Sequence, residues 1–182
     1  MTQFLRGRVL VLVAGVAVLG LVAALAIASA QGVGQDPIGE VESSIDQAAG
    51  FTLPTLDGGS FSIADHAGGP IFLYFWASWC APCEREAPLI QRLWPEYEAL
   101  GYTFIGINIL DSEDGAREFV ERHGLTFPML RDAEGEVYLA FGVKGVPESY
   151  FLVPGLKVDR RYLGELHEAE LREMLDDIGE PG

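Results

Sequence analysis

The chain has 182 residues and carries 27 Asp or Glu against 12 Lys or Arg, a net charge of −15. So acidic a chain is a poor candidate for binding nucleic acid or an anionic lipid surface. Its length allows one well-buried core beyond the apolar N-terminus and not two.

Met1–Arg8 carries Arg6 and Arg8, and Val9–Ala28 follows as twenty residues without a charge. At 1.5 Å per residue, such a helix spans a hydrocarbon core of about 30 Å. The next Lys or Arg is Arg85, whereas Asp36, Glu40, Glu42 and Asp46 come sooner. The positive-inside rule then leaves the N-terminus in the cytoplasm and the remainder outside it. On length, residues 1–30 read as a signal anchor and single transmembrane helix. Ala28-Ser29-Ala30 also reads as an A-x-A cleavage site, and cutting there would leave a secreted or periplasmic domain. No cysteine directly follows the apolar run, which excludes a diacylglyceryl lipoprotein. With Arg6 and Arg8 set aside, ten basic residues face 27 acidic ones, a net of −17, which reads as a solvated surface.

Gln31–Gln47 is Gly-, Ser- and acid-bearing and is expected to be a flexible linker, with one domain over residues 48–182. Phe51–Ile63 predicts two short strands around Asp57-Gly58-Gly59, a hairpin signal. Ile71–Trp76 is apolar throughout and predicts a strand buried on both faces. Glu84–Leu100 has helical spacing in Leu89, Ile90, Leu93, Tyr97 and Leu100, with Pro88 expected to kink or break it. Tyr102–Ile109 predicts a second buried strand and Ser112–His123 a second helix, so the arrangement is parallel. Phe127–Leu130 reads as extended, Ala133–Phe141 as a brief helix and Gly142–Pro147 as a turn. Glu148–Val153 and Lys157–Leu163 predict an antiparallel pair, and His167–Ile178 a closing helix.

Cys80 and Cys83 are the only cysteines, with two residues between them where a buried strand gives way to a helix. As a staple they would close a four-residue loop and gain about 2 kcal/mol, little for a domain with its own core. As a zinc site they lack further ligands, because the three histidines are scattered. Redox use fits the placement. A sulfur at a helix N-terminus is stabilised as thiolate, so Cys80 reads as the attacking thiol and Cys83 as the resolving one. Pro82 is tolerated in the first turn.

Trp79-Cys80-Ala81-Pro82-Cys83 after a buried strand resembles the thioredoxin superfamily. Gly145-Val146-Pro147 looks like the cis-proline loop that faces the thiols in that fold, and Pro88 matches its helix proline. The resemblance runs from about Phe51 to Ile178. It implies a thioredoxin-like α/β fold: a mixed central sheet flanked by helices, here with an added N-terminal β-hairpin and one N-terminal transmembrane helix. The anchor, the hairpin with Leu53-Pro54-x-Leu56-Asp57-Gly58, the Cys-x-x-Cys-x-x-Glu order and Gly145-Val146-Pro147-Glu148 most resemble the membrane-anchored extracytoplasmic group that includes ResA, TlpA and CcmG. In that group the glutamate at the position of Glu86 lies near the thiols, which implies that it tunes their pKa and relays a proton. Cytoplasmic thioredoxins carry a buried aspartate where this chain has Tyr74, so Glu86 or Glu148 becomes the candidate acceptor. Glu148 reads equally as a plain strand-end charge. Trp79 is expected to cover the thiols, with Pro82, Val146 and Glu148 shaping the site; Trp76 and Tyr74 read as core.

The resemblance implies an enzyme exchanging thiols and disulfides without a cofactor, in the reducing direction. Its substrates would be oxidised protein thiols such as those of apocytochrome c, in cytochrome c maturation. A membrane electron donor of the CcdA/DsbD type would keep the pair reduced. Two alternatives share the fold: a copper-delivery or copper-site assembly protein, since copper(I) favours thiolates, and a general extracytoplasmic disulfide exchange protein.

Overall fold

The computed structural model describes residues 2–30 and 38–179, with side chains described for 13–27 and 38–179. It falls into two units, Met1–Asp36 and Pro37–Gly182. In the first, helix α1 runs over Thr2–Ala30, and its described apolar side chains, Val16 and Leu19 among them, are exposed. Among the described residues no helix is long and apolar enough to cross a membrane. The side chains of residues 9–12 and 28, which belong to the expected Val9–Ala28 span, lie outside that description.

The second unit is built around a six-stranded sheet. Its order is β1 (Gly39–Val41), β8 (Lys157–Leu163), β7 (Glu148–Val153), β4 (Ile71–Trp76), β5 (Thr103–Ile109) and β6 (Met129–Asp132). β4 pairs in parallel with β5 and antiparallel with β7, so the sheet is mixed. Every residue of β4 is buried, which follows from helices on one face and further chain on the other. Side chains alternate between faces. Phe72, Tyr74 and Trp76 join a core with α2 (Ala81–Glu98), α3 (Glu113–His123) and α5 (Glu168–Gly179). Ile71, Leu73 and Phe75 join a second core with α4 (Glu136–Phe141). Gly106 in β5 keeps the first core closed, because a Cβ there would lie 2.6 Å from Met129 Sδ and 3.1 Å from Trp76 Nε1.

Three expectations need correction. The Gln31–Gln47 linker is not free over its later part: Gly39–Val41 pair antiparallel with β8, and Gln47 bridges Lys157. The open edge of β8 supplies backbone donors and acceptors that a polar segment satisfies as well as an apolar one. Residues 31–37 lie outside the described residues. Pro88 does not break α2, which continues through both Pro88 and Pro95. One lost backbone bond costs about 3 kcal/mol, and burial of Ala87, Ile90, Leu93 and Trp94 on one face offsets it. Leu100 is not part of that face: α2 ends at Glu98 and Leu100 is exposed.

The hairpin forms as β2 (Thr52–Pro54) and β3 (Ser60–Ser62). Its turn docks on the main sheet through Leu56 N–H donating to Met129 O at 2.8 Å. α3 is capped at its start by Ser112, whose Oγ accepts from Gly115 N–H at 3.1 Å, and at its end by Gly124 with φ 61°. These caps satisfy otherwise orphaned backbone groups.

Candidate active site

The chain leaves β4 at Trp76, turns over Ala77–Trp79, and enters α2 with Cys80 as its N-cap. Cys80 and Cys83 are joined by a disulfide with Cα atoms 5.2 Å apart. Cys83 N–H donates to Cys80 Sγ at 3.2 Å. Such a donor, together with the helix dipole, stabilises negative charge on that sulfur once the bond is reduced. Cys80 is 3 % exposed and Cys83 fully buried. Ala81 and Pro82 open the helix, where the missing proline N–H costs nothing.

The Val146–Pro147 bond is cis. The β4–β7 register ends with Phe75 opposite Glu148, so Pro147 lies at the end of the sheet where β4 turns towards Cys80. Val146 packs on the core that contains both cysteines.

Glu86 follows Cys83 by three residues and shares its buried helix face. It is 1 % exposed. Oε1 accepts from Leu166 N–H at 3.0 Å, while Oε2 has no hydrogen-bond partner among the described residues. Burial pushes its pKa from 4.5 up to about 8; the Leu166 bond opposes this and the Glu165 charge adds to it. Tyr74 is buried with its hydroxyl 3.5 Å from Cys83 O, a long contact. Burial, and after it the nearby Glu86 charge, raises its pKa.

Glu148 is not an exposed strand-end charge. It is fully buried; Oε1 accepts from Arg161 Nε at 2.8 Å and Oε2 from Lys144 N–H at 2.8 Å. Arg161 also donates to Gly142 O at 3.2 Å and lies 5.6 Å from the Tyr150 ring centroid. With both oxygens engaged, Glu148 braces the 142–148 loop, and Glu86 is the carboxyl with an unused oxygen.

Trp76 is buried and stacks on Phe119 with centroids 4.5 Å apart. Trp79 is 61 % exposed and donates from Nε1 to Leu110 O at 3.0 Å. Beside it sits a cluster that the sequence reading missed. Asp111 accepts from Ser78 N–H (2.6 Å), Ser78 Oγ (2.8 Å), Asn108 Nδ2 (2.8 Å) and Ser112 N–H (2.8 Å). The one signal available was an Asp-Ser pair at the end of a strand, a helix-start pattern. His123 contacts Glu84 Oε2 at 2.6 Å, and His66 stacks on Phe61. Among the described residues no group of three or more His, Cys, Asp or Glu side chains is placed to hold a metal ion.

Residues 45–161 match the AhpC/TSA family, and the chain belongs to it. A thiol–disulfide oxidoreductase ResA from Geobacillus thermodenitrificans is 33 % identical over 131 residues, which span 72 % of this chain and 75 % of the relative. Among solved structures, one assigned as thiol:disulfide interchange protein DsbE from Chlorobium tepidum has a TM-score of 0.70 and 26 % identity, covering 77 % of this chain and 99 % of that one. StoA from Bacillus subtilis has a TM-score of 0.63 and 25 % identity, covering 71 % and 98 %. The chain is a thiol–disulfide oxidoreductase with a thioredoxin-like fold and a Cys-x-x-Cys pair.

Proposed function

We propose that this member of the AhpC/TSA family is tethered by residues 1–30 to the outer face of a membrane and reduces oxidised cysteine pairs in exported proteins. Apocytochrome c awaiting haem is the substrate that its ResA relatives suggest, and a CcdA/DsbD-type membrane protein the electron donor. The observation that carries the reading is Cys80 as the N-cap of α2, receiving the Cys83 N–H.

In the reduced enzyme the Cys80 thiolate attacks one sulfur of the substrate disulfide. A Cys80–substrate S–S bond forms as the substrate bond breaks, and the departing sulfur takes a proton. Cys83 passes its proton to the Glu86 carboxylate and attacks Cys80 Sγ, which closes the Cys80–Cys83 disulfide and expels the second substrate sulfur; that sulfur takes the proton back from Glu86, the first having taken one from solvent. The substrate gains two electrons and two protons, and the membrane donor returns them to the pair. A carboxyl titrating at about 8 is matched to thiols near 8.5 for such transfers. Pro147 walls the site opposite the thiols, with Val146 and Glu148 fixing its loop.

The test is trapping in cells. Cys83→Ala is expected to hold a substrate as a mixed disulfide, and Cys80→Ala/Cys83→Ala to hold none. An equal yield from both variants would refute the assigned roles. A reduction potential near about −120 mV, that of a strong oxidant, would reverse the direction. Cell fractionation decides between the anchored form and one cleaved after Ala30.

A further inference from the structure

The connection from β8 to α5 opens with Gly164-Glu165-Leu166, and each of the three bonds to a different part of the redox site. Gly164 N–H donates to Pro147 O at 2.9 Å. Leu166 N–H donates to Glu86 Oε1 at 3.0 Å. Glu165 receives Arg85, whose Nε lies 3.2 and 2.9 Å from its two oxygens and whose Nη2 lies 2.5 Å from Oε2. Arg85 also donates from Nη1 to Ala81 O at 3.2 Å, a carbonyl between the two cysteines. The guanidinium therefore ties the first turn of α2 to the connection at the point where that connection meets Glu86.

Glu86 and Leu166 are each 1 % exposed, whereas the Arg85 and Glu165 side chains are 59 % and 22 % exposed. An ion pair so open to water adds little to overall stability, but its forked contact fixes geometry. Beneath it the Glu86 carboxyl is shut in. Its charge reaches Tyr74 of β4 and Tyr162 of β8, and α5 brings Glu170 to Tyr162. Glu165 acts on it from the connection, and on α2 itself Cys83 lies one turn back and Arg85 one residue back. Burial outweighs these charges in raising its pKa, so whatever keeps the carboxyl dry controls its proton.

We propose that Arg85 and Glu165 form a latch that holds the 164–166 segment down on Glu86 and keeps water from its carboxyl. The proposal rests on the reading above in which Glu86 takes the proton of Cys83, and it names what makes that transfer possible near neutral pH. With the latch closed, the carboxyl has the Leu166 N–H and an apolar core around it and accepts a proton readily. With the latch open, water solvates the carboxylate, its hold on the proton weakens, and Cys83 keeps its own. Arg85 and Glu165 act through Glu86 and are positioning residues.

The test follows the Glu86 carboxyl directly, by carboxyl-carbon NMR of the oxidised full-length chain with isotope-labelled glutamate, titrated over a wide pH range. The signal is identified by its loss in Glu86→Gln. Arg85→Ala and Glu165→Gln are each expected to lower the Glu86 pKa by about one unit or more, and the swapped pair Arg85→Glu/Glu165→Arg to restore most of it. If the pair acts through its charges alone, the two single variants move the pKa in opposite directions, up when the cation is lost and down when the anion is. That result overturns the latch. Unshifted pKa values in both overturn it as well, whatever happens to Tm, because the pair is then only a brace. So do downward shifts that the swap leaves in place, which trace to lost side chains and not to the pairing. A wild-type Glu86 that titrates near 4.5 defeats the relay reading itself.

Discussion

Glu86→Gln tests the most consequential side chain of the site without changing its shape. The carboxyl is buried beside Cys83, and its pKa stands at about 8 against 4.5 in the open chain. The folded chain therefore holds this proton more tightly than the unfolded one. Stabilisation from that difference is fully present below about pH 4.5 and is lost as pH rises through about 8. At about 1.4 kcal/mol per unit, the window amounts to about 5 kcal/mol, a large fraction of a domain's stability. The assay is urea unfolding of the oxidised protein from pH 5 to 9. The wild type should lose stability steadily with rising pH, and Glu86→Gln should show a flatter profile because the amide does not titrate. In the reduced protein, the same substitution should shift the thiol titration. Parallel pH profiles for the two oxidised proteins, with an unchanged thiol titration, would refute both the buried-proton account and the relay.

Two further outcomes follow from packing. Arg161→Met leaves the buried Glu148 carboxylate without its partner and should cost about 3–5 kcal/mol in urea unfolding, with part recovered in Glu148→Gln/Arg161→Met. Gly115→Ala should not show the gain of about 1 kcal/mol that alanine usually brings to a helix, because its Cβ meets Ser78 Oγ. Adding Ser78→Ala should restore some of that gain in a double-mutant cycle.

The parts of the molecule that could be read from the sequence are those whose signals are local. Ile71–Trp76 announces a doubly buried strand by composition alone, and the Cys80–Cys83 spacing with Pro82 places a redox pair at a helix start. Glu86 was singled out through the resemblance, which implies a glutamate near the thiols at that position. Its carboxyl facing an apolar core was not legible, since that depends on Tyr74 and on Leu166 from distant strands and loops. Asp111 and Ser78 lie 33 positions apart, and no periodicity links them. Arg161 looked like one more polar residue on an alternating strand, and only the fold brings it to Glu148. β1 escaped because a three-residue strand has no apolar pattern to show; an unpaired neighbour creates it.

The Glu148–Arg161 pair has a mechanical consequence. It ties Lys144 and Gly142 to β7 and β8, so the jaw carrying Pro147 moves only with the sheet. The opposite jaw, with Cys80, is pinned to α3 through Asp111. Neither side has slack to wrap around a target, so the bending that disulfide exchange demands is left to the substrate chain.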